Sequence, residues 1–398
     1  MAEAITDRLM STDALRTVTR RVTTLDGVRA LAAIAVVMYH CIGASGFATS
    51  AYGSQSFFVA VVGNVGNFGV AIFFVLSGYL LFREFVRKIL FDEERTRLPH
   101  YFERRFLRIY PAYWAALIGL VVVTGAPLVT GGAFGLLTLT ERHFSNALFP
   151  GIGVAWTLYV EVAFYVFMPF FAGFLWLLCR RRDVAVRVTI VLVALVGLVV
   201  FAHVWIGVVV PAIGPDLRVR FRMNLPTYLG WFAAGMALGV ASVWMQSGRT
   251  LPRWITQLAD RPWVCWSVSL FAYSMVVLIQ TNFSFRGMPQ NETTLSLQSR
   301  MLLQGTAALL FVLPMALGNR PTRLRSFVGS RTLASVGLIS YGIYLWHQIL
   351  IAQIVKWMTF SPDFFGFFGM VLIVLPIAML FGWVSFRWIE KPALSLAK

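Results

Sequence analysis

Three side chains stand where an apolar sequence should exclude them: His40 at the end of LDGVRALAAIAVVMYH, Glu161 inside WTLYVEVAFYVFMP, and His347 at the end of SYGIYLWH. An Arg or Asp at the centre of a membrane span costs about 2.5 to 3.5 kcal/mol on insertion scales, so ionisable groups there need a reason. Imidazole titrates near neutral pH and can act as a general base, or it can hydrogen-bond a neighbouring helix for packing. Glu161 and Tyr165 are four apart and share a helix face. The carboxylate can sit in a structural ion pair or hydrogen bond, or it can orient or polarise a catalytic group. Arg29 precedes His40 by eleven residues, which brings the two within roughly 20° on one helix and about 16 Å apart along its axis. That spacing puts Arg29 at the inner membrane boundary and His40 near mid-membrane. Ser340, Tyr344 and His347 fall on one side by steps of three and four.

A second group is basic. Arg105 and Arg108 in RRFLRIYPAYW lie three apart where the chain enters the membrane, suited to bidentate contact with phosphate, though topogenic charge explains them as well. Ser77 and Gly78 in FFVLSGYLL are small residues of the kind that let helices approach closely, so Ser77 need not be a nucleophile. Cys41, Cys179 and Cys265 form neither a CxxC nor a metal-ligand spacing, and no metal site is expected. There is no GxSxG elbow, P-loop or HExxH helix, which removes the usual supports for serine hydrolysis, ATP-driven transport and zinc proteolysis.

The elements that must carry these groups follow from composition. Of 398 residues 58% are hydrophobic and 13% charged, against about 25% charged in soluble domains. Apolar runs of span length occur near 25–41, 67–85, 109–128, 153–178, 188–210, 228–244, 263–280, 302–317, 333–357 and 364–384. Runs of that length suit helices rather than barrel strands. The expected fold is all-α, a polytopic bundle of about ten spans in one domain over 1–398, with a polar cytoplasmic segment over 1–24. The net charge of +17 is spread between apolar runs, which argues against nucleic acid. Of the 34 Lys and Arg residues, 27 fall on one set of alternate segments, which predicts that both termini are cytoplasmic. Arg218, Arg220 and Arg222 break that rule in an outer loop, where they could meet an anionic acceptor or lipid headgroup or be basic by chance.

The run of Arg29 and His40, FFVLSGYLL, RRFLRIYPAYW, WTLYVEVAFYVFMP, SYGIYLWH and the closing WIEKP resembles the acyltransferase-3 family of bacterial membrane acyltransferases, in order and from Leu25 to Pro392. The resemblance implies transfer of an acyl group, often acetyl, from acyl-CoA to a hydroxyl of a sugar, glycolipid, polysaccharide or macrolide, in a multi-pass protein of the bacterial cytoplasmic membrane with lipid around it. It makes His40 the essential base with Arg29 in support. Arg105 and Arg108 become donor-binding candidates together with Ser77, and Glu161, Tyr165 and His347 become site residues of less definite role. It also implies a short form ending at Lys398, without the hydrolase-like domain that many members add. A proton-coupled transporter or flippase using His40, Glu161 and His347 as a relay is the alternative, without the paired helix interruptions such transporters carry. Oligomeric state and the identity of the acceptor are not encoded in these motifs.

Overall fold

The computed structural model describes residues 2–50, 53, 56–93, 97–125, 133–140, 151–281 and 293–397; Met1 and Lys398, the ends of the expected domain, lie outside them. Among the described residues every regular element is helical. They are α1 (Ala2–Ala44), α2 (Phe57–Phe91), α3 (Leu98–Thr124), α4 (Ala133–Thr138), α5 (Trp156–Cys179), α6 (Val184–Val204), α7 (Val210–Ala212), α8 (Pro215–Arg222) and α9 (Leu225–Gln246), followed by α10 (Arg253–Ala259), α11 (Pro262–Thr281), α12 (Thr294–Leu317), α13 (Arg323–Val328), α14 (Arg331–Leu338), α15 (Ser340–Trp357), α16 (Phe364–Ser385) and α17 (Lys391–Leu396). Nine helices among these residues are long and apolar enough to cross a membrane, or ten if the bent pair α14–α15 is one span.

Burial explains why so hydrophobic a chain forms a bundle. Phe170, Val122 and Leu372 are among many large apolar side chains on the outer surface, where lipid rather than water would meet them. Between helices, small residues allow contact of backbone with backbone. A Cβ on Gly235 of α9 would lie 1.9 Å from the Val75 carbonyl oxygen of α2, and one on Gly78 of α2 would lie 2.2 Å from that of Phe232. The FFVLSGYLL glycine therefore does what its size predicts. α2 packs against α1, α5, α9, α11 and α12 and is the central post of the fold.

Three features differ from the sequence-based expectation. The ninth span is not one helix: α14 and α15 meet at 66°. Gly337 presses so closely on the Asp26 carbonyl of α1 that a Cβ would stand 1.9 Å away, and the Ser340 hydroxyl takes the Gly337 carbonyl at 2.7 Å, so the helix turns where it docks. The segment with Arg218, Arg220 and Arg222, expected as a loop, contains a helix, α8. Finally, α1 continues to Ala44, past the end of the expected apolar run 25–41, which leaves His40 about 6 Å from the end of its helix.

Candidate active site

The base candidate is built from two helices crossing. α1 and α15 pack together, and His347 Nε2 lies 3.2 Å from His40 Nδ1. His40 Nδ1 is also 2.9 Å from the Val36 carbonyl, and His347 Nδ1 is 3.2 Å from that of Ile343. A carbonyl can only accept, so each Nδ1 carries the hydrogen that faces its own helix. His347 Nε2 is then bare and accepts from His40 Nδ1–H, which it shares with Val36. His40 Nε2 is left with a free lone pair. The arrangement fixes the tautomer that presents a proton acceptor and places a second acceptor behind it. His347 is fully buried and His40 partly exposed.

Beside this pair lies a cavity of about 280 Å3. Its polar walls come from α1 (Arg29), α2 (Ser77, Glu84), α3 (Arg104, Arg105, Arg108), α5 (Thr157, Glu161, Tyr165) and α15 (Ser340, Tyr341, Tyr344). Four arginines against two glutamates make it electropositive. Its carboxylates are engaged locally. Ser77 and Tyr165 hydroxyls donate to Glu161 Oε1 at 2.8 Å and 2.7 Å. Arg105 donates to Glu84 at 2.7 Å with its guanidinium over the rings of Tyr101 and Tyr165, while Arg29 leans on Asp26 at 3.4 Å. At the far end the Tyr344 hydroxyl bonds Thr157 Oγ1 at 2.6 Å and donates to the Val154 carbonyl at 3.0 Å. The Tyr344 ring, which lines the cavity, lies 5.9 Å from that of His347, which does not. Tyr344 is thus shared, a wall of the cavity and a ring neighbour of His347, with its hydroxyl held in a clasp by Thr157 and Val154.

The candidate residues thus fall into two linked groups. His40 and His347 form one, and Arg29, Ser77, Arg105, Arg108, Glu161 and Tyr165 share the cavity. Glu161 contacts Ser77 and Tyr165, and His40 is oriented by His347 and Val36 instead. Glu84, Arg104, Thr157 and Tyr341 were not singled out by sequence reasoning. Glu84 and Arg104 sit in charged flanks that read as topology signals, whereas Thr157, in WTLYVEV, carried a weak cue as a polar residue one turn before Glu161. No cluster of metal-ligating side chains occurs among the described residues.

The sequence has recognisable relatives. It is 26% identical over 397 residues to the peptidoglycan O-acetyltransferase OatA of Listeria monocytogenes, covering 93% of this chain and 55% of OatA. It is 27% identical over 305 residues to the exopolysaccharide production protein ExoZ of Rhizobium meliloti, covering 73% of this chain and 78% of ExoZ. The O-acetyltransferase OatA of Staphylococcus aureus is 22% identical over 391 residues, covering 92% of this chain and 56% of that protein. The chain therefore spans little more than half the length of the two OatA relatives. No solved structure matches. The sequence model of the acyltransferase-3 family, an acyltransferase domain, matches residues 22–387, so the chain belongs to that family.

Proposed function

We propose that this chain is an O-acyltransferase of the bacterial cytoplasmic membrane that moves an acyl group, acetyl above all, from acyl-CoA to a hydroxyl of a cell-envelope carbohydrate or glycolipid. The observation that carries the reading is the cavity that gathers Arg29, Arg104, Arg105 and Arg108 and shares Tyr344 with the His40–His347 pair. The names of the relatives, O-acetyltransferases and an exopolysaccharide production protein, support the same class of reaction. With both termini in the cytoplasm the arginines face the compartment where acyl-CoA is made. The cavity is at the small end of ligand sites, which run to roughly 300–1,000 Å3, so it suits the slender thioester arm, with the nucleotide phosphates outside on Arg104, Arg105 and Arg108.

In this mechanism the Tyr344 clasp opens and the thioester carbonyl reaches His40. His40 Nε2 removes the proton of the acceptor hydroxyl as its oxygen attacks the carbonyl carbon. The carbon–sulfur bond breaks, and the departing thiolate takes the proton from the His40 imidazolium to leave free CoA. Positive charge on His40 is stabilised through Nδ1–H by His347 Nε2 and the Val36 carbonyl. Glu161, fixed by Ser77 and Tyr165, keeps the wall beside Arg105 in place.

The test is mass spectrometry of surface glycans and glycolipids from cells carrying wild type or His40→Ala at matched membrane abundance. Wild type should add a discrete acyl mass that His40→Ala adds 10² to 10⁴ times more slowly, about the value of a general base. Equal restoration by both would remove His40 from the mechanism.

A further inference from the structure

The cavity on the arginine side accounts for one substrate, yet His40 and Tyr39 do not line it. Tyr39 turns the other way on α1. Its ring lies edge-on to His40 at 4.8 Å and against Gly66 of α2, where a Cβ would come within 2.5 Å of it. α12 packs against both α1 and α2; the Thr24 hydroxyl of α1 donates to the Met315 carbonyl of α12 at 3.2 Å, and the same number of residues along these oppositely running helices brings Arg300 level with Tyr39. Ser296, Arg300 and Gln304 follow one another at four-residue steps and so form one stripe down α12. It begins at the end of the bundle where α1 finishes.

Gln304 is the anomaly in this stripe. It is fully buried, and neither its amide nitrogen nor its amide oxygen has a hydrogen-bond partner among the described residues. The Ser296 hydroxyl, one turn beyond Arg300, is also buried and unpartnered there. Natural proteins satisfy nearly all such groups, and those left over call for a ligand, a water or a functional reason. Helical side chains lean toward the N-terminus of their helix, so Gln304 leans toward Arg300 and the open end.

We propose that Tyr39, Ser296, Arg300 and Gln304 form the acceptor site, a polar crevice that brings a carbohydrate hydroxyl to His40 from the face opposite the donor cavity. This rests on the acyl-transfer reading above. Gln304 supplies one donor and one acceptor to neighbouring sugar hydroxyls, a pairing that suits a diol. Arg300 draws in hydroxyl oxygens or an anionic substituent of the same sugar, and the Tyr39 ring forms an apolar wall beside the base. The two substrates then approach His40 from separate sides and need not pass each other.

The test has two arms on the full-length protein. First, Arg300→Cys and Leu302→Cys are each treated in intact cells with a charged, membrane-impermeant methanethiosulfonate. Leu302 is exposed on the lipid-facing side of α12, and the native Cys41, Cys179 and Cys265 are buried. Position 300 should react at least about tenfold faster than 302 if the crevice is wet and open to the outside. Second, purified Gln304→Leu in lipid nanodiscs is compared with wild type for CoA release from acetyl-CoA, with peptidoglycan glycan strands as acceptor. The KM for strands should rise roughly tenfold while the KM for acetyl-CoA stays unchanged, a split that a general loss of packing would not give. Equal labelling at 300 and 302 overturns the crevice, as does an unchanged acceptor KM. If wild type releases no CoA with these strands, that choice of acceptor is wrong, and the labelling arm alone decides the crevice.

Discussion

Replacing His347 by leucine tests how the proposed base is held, because leucine keeps much of the buried volume and removes the acceptor behind His40. In the ground state His40 Nδ1–H is divided between His347 Nε2 at 3.2 Å and the Val36 carbonyl at 2.9 Å. As Nε2 takes the proton, the ring becomes cationic and both bonds become charge-assisted, each worth about 1.5 to 3 kcal/mol. Val36 is the closer partner and survives the substitution, so the loss should fall at the low end, about 1.5 to 2 kcal/mol. That is roughly a tenfold to thirtyfold drop in kcat. The KM for acetyl-CoA should not move, since His347 does not line the cavity proposed for the donor. Steady-state CoA release in nanodiscs, with both substrates varied and folded protein matched, reads both quantities. His347→Gln restores a polar acceptor and should recover most of the rate. A wild-type kcat in His347→Leu would refute the pairing as the device that prepares His40, and so would a raised KM at constant kcat.

The arginines should separate by their partners. Arg108 has no ion pair or hydrogen bond among the described residues, and Arg108→Ala should raise the KM for acetyl-CoA about tenfold without altering thermal stability. Arg105→Ala should raise that KM too but also lower the melting temperature, since it leaves Glu84 without its 2.7 Å partner and uncovers Tyr101 and Tyr165. Differential scanning fluorimetry beside donor titration distinguishes the two. At the α2–α9 crossing, Gly235→Ala should cost about 1 to 3 kcal/mol or more, because the methyl would meet a backbone carbonyl at 1.9 Å. A folded yield equal to wild type in size-exclusion profiles would contradict that packing.

Much of this architecture is legible along the sequence because a lipid solvent imposes a simple rule: long apolar runs become helices, and polar exceptions stand out against them. Arg29 with His40, Glu161 with Tyr165, and the glycine of FFVLSGYLL are local patterns, and helix periodicity alone relates their members. What escaped depends on contacts between distant segments. His40 and His347 are 307 positions apart, and nothing in either motif names the other as partner. The turn between α14 and α15 arises where Gly337 docks on α1, a tertiary cause without a proline to announce it. Glu84 and Arg104 were hidden because charge at a membrane boundary is expected for topological reasons. Gln304 was overlooked because a single amide in an apolar helix draws no attention until it is seen to lack a partner among the described residues.

The Tyr344 clasp bears on the energetics of the cell. A protein that lets a substrate arm in from one face and an acceptor in from the other contains two half-channels, and joining them would let protons run down the membrane potential. Each charge that crosses at 100 mV dissipates about 2.3 kcal/mol. On the proposed two-sided reading, the bonds from Tyr344 to Thr157 and Val154 would act as electrical insulation as well as structure. A donor arm that parted them would also fill the gap it opened, so that on this reading an acyl group could cross while the proton gradient was kept.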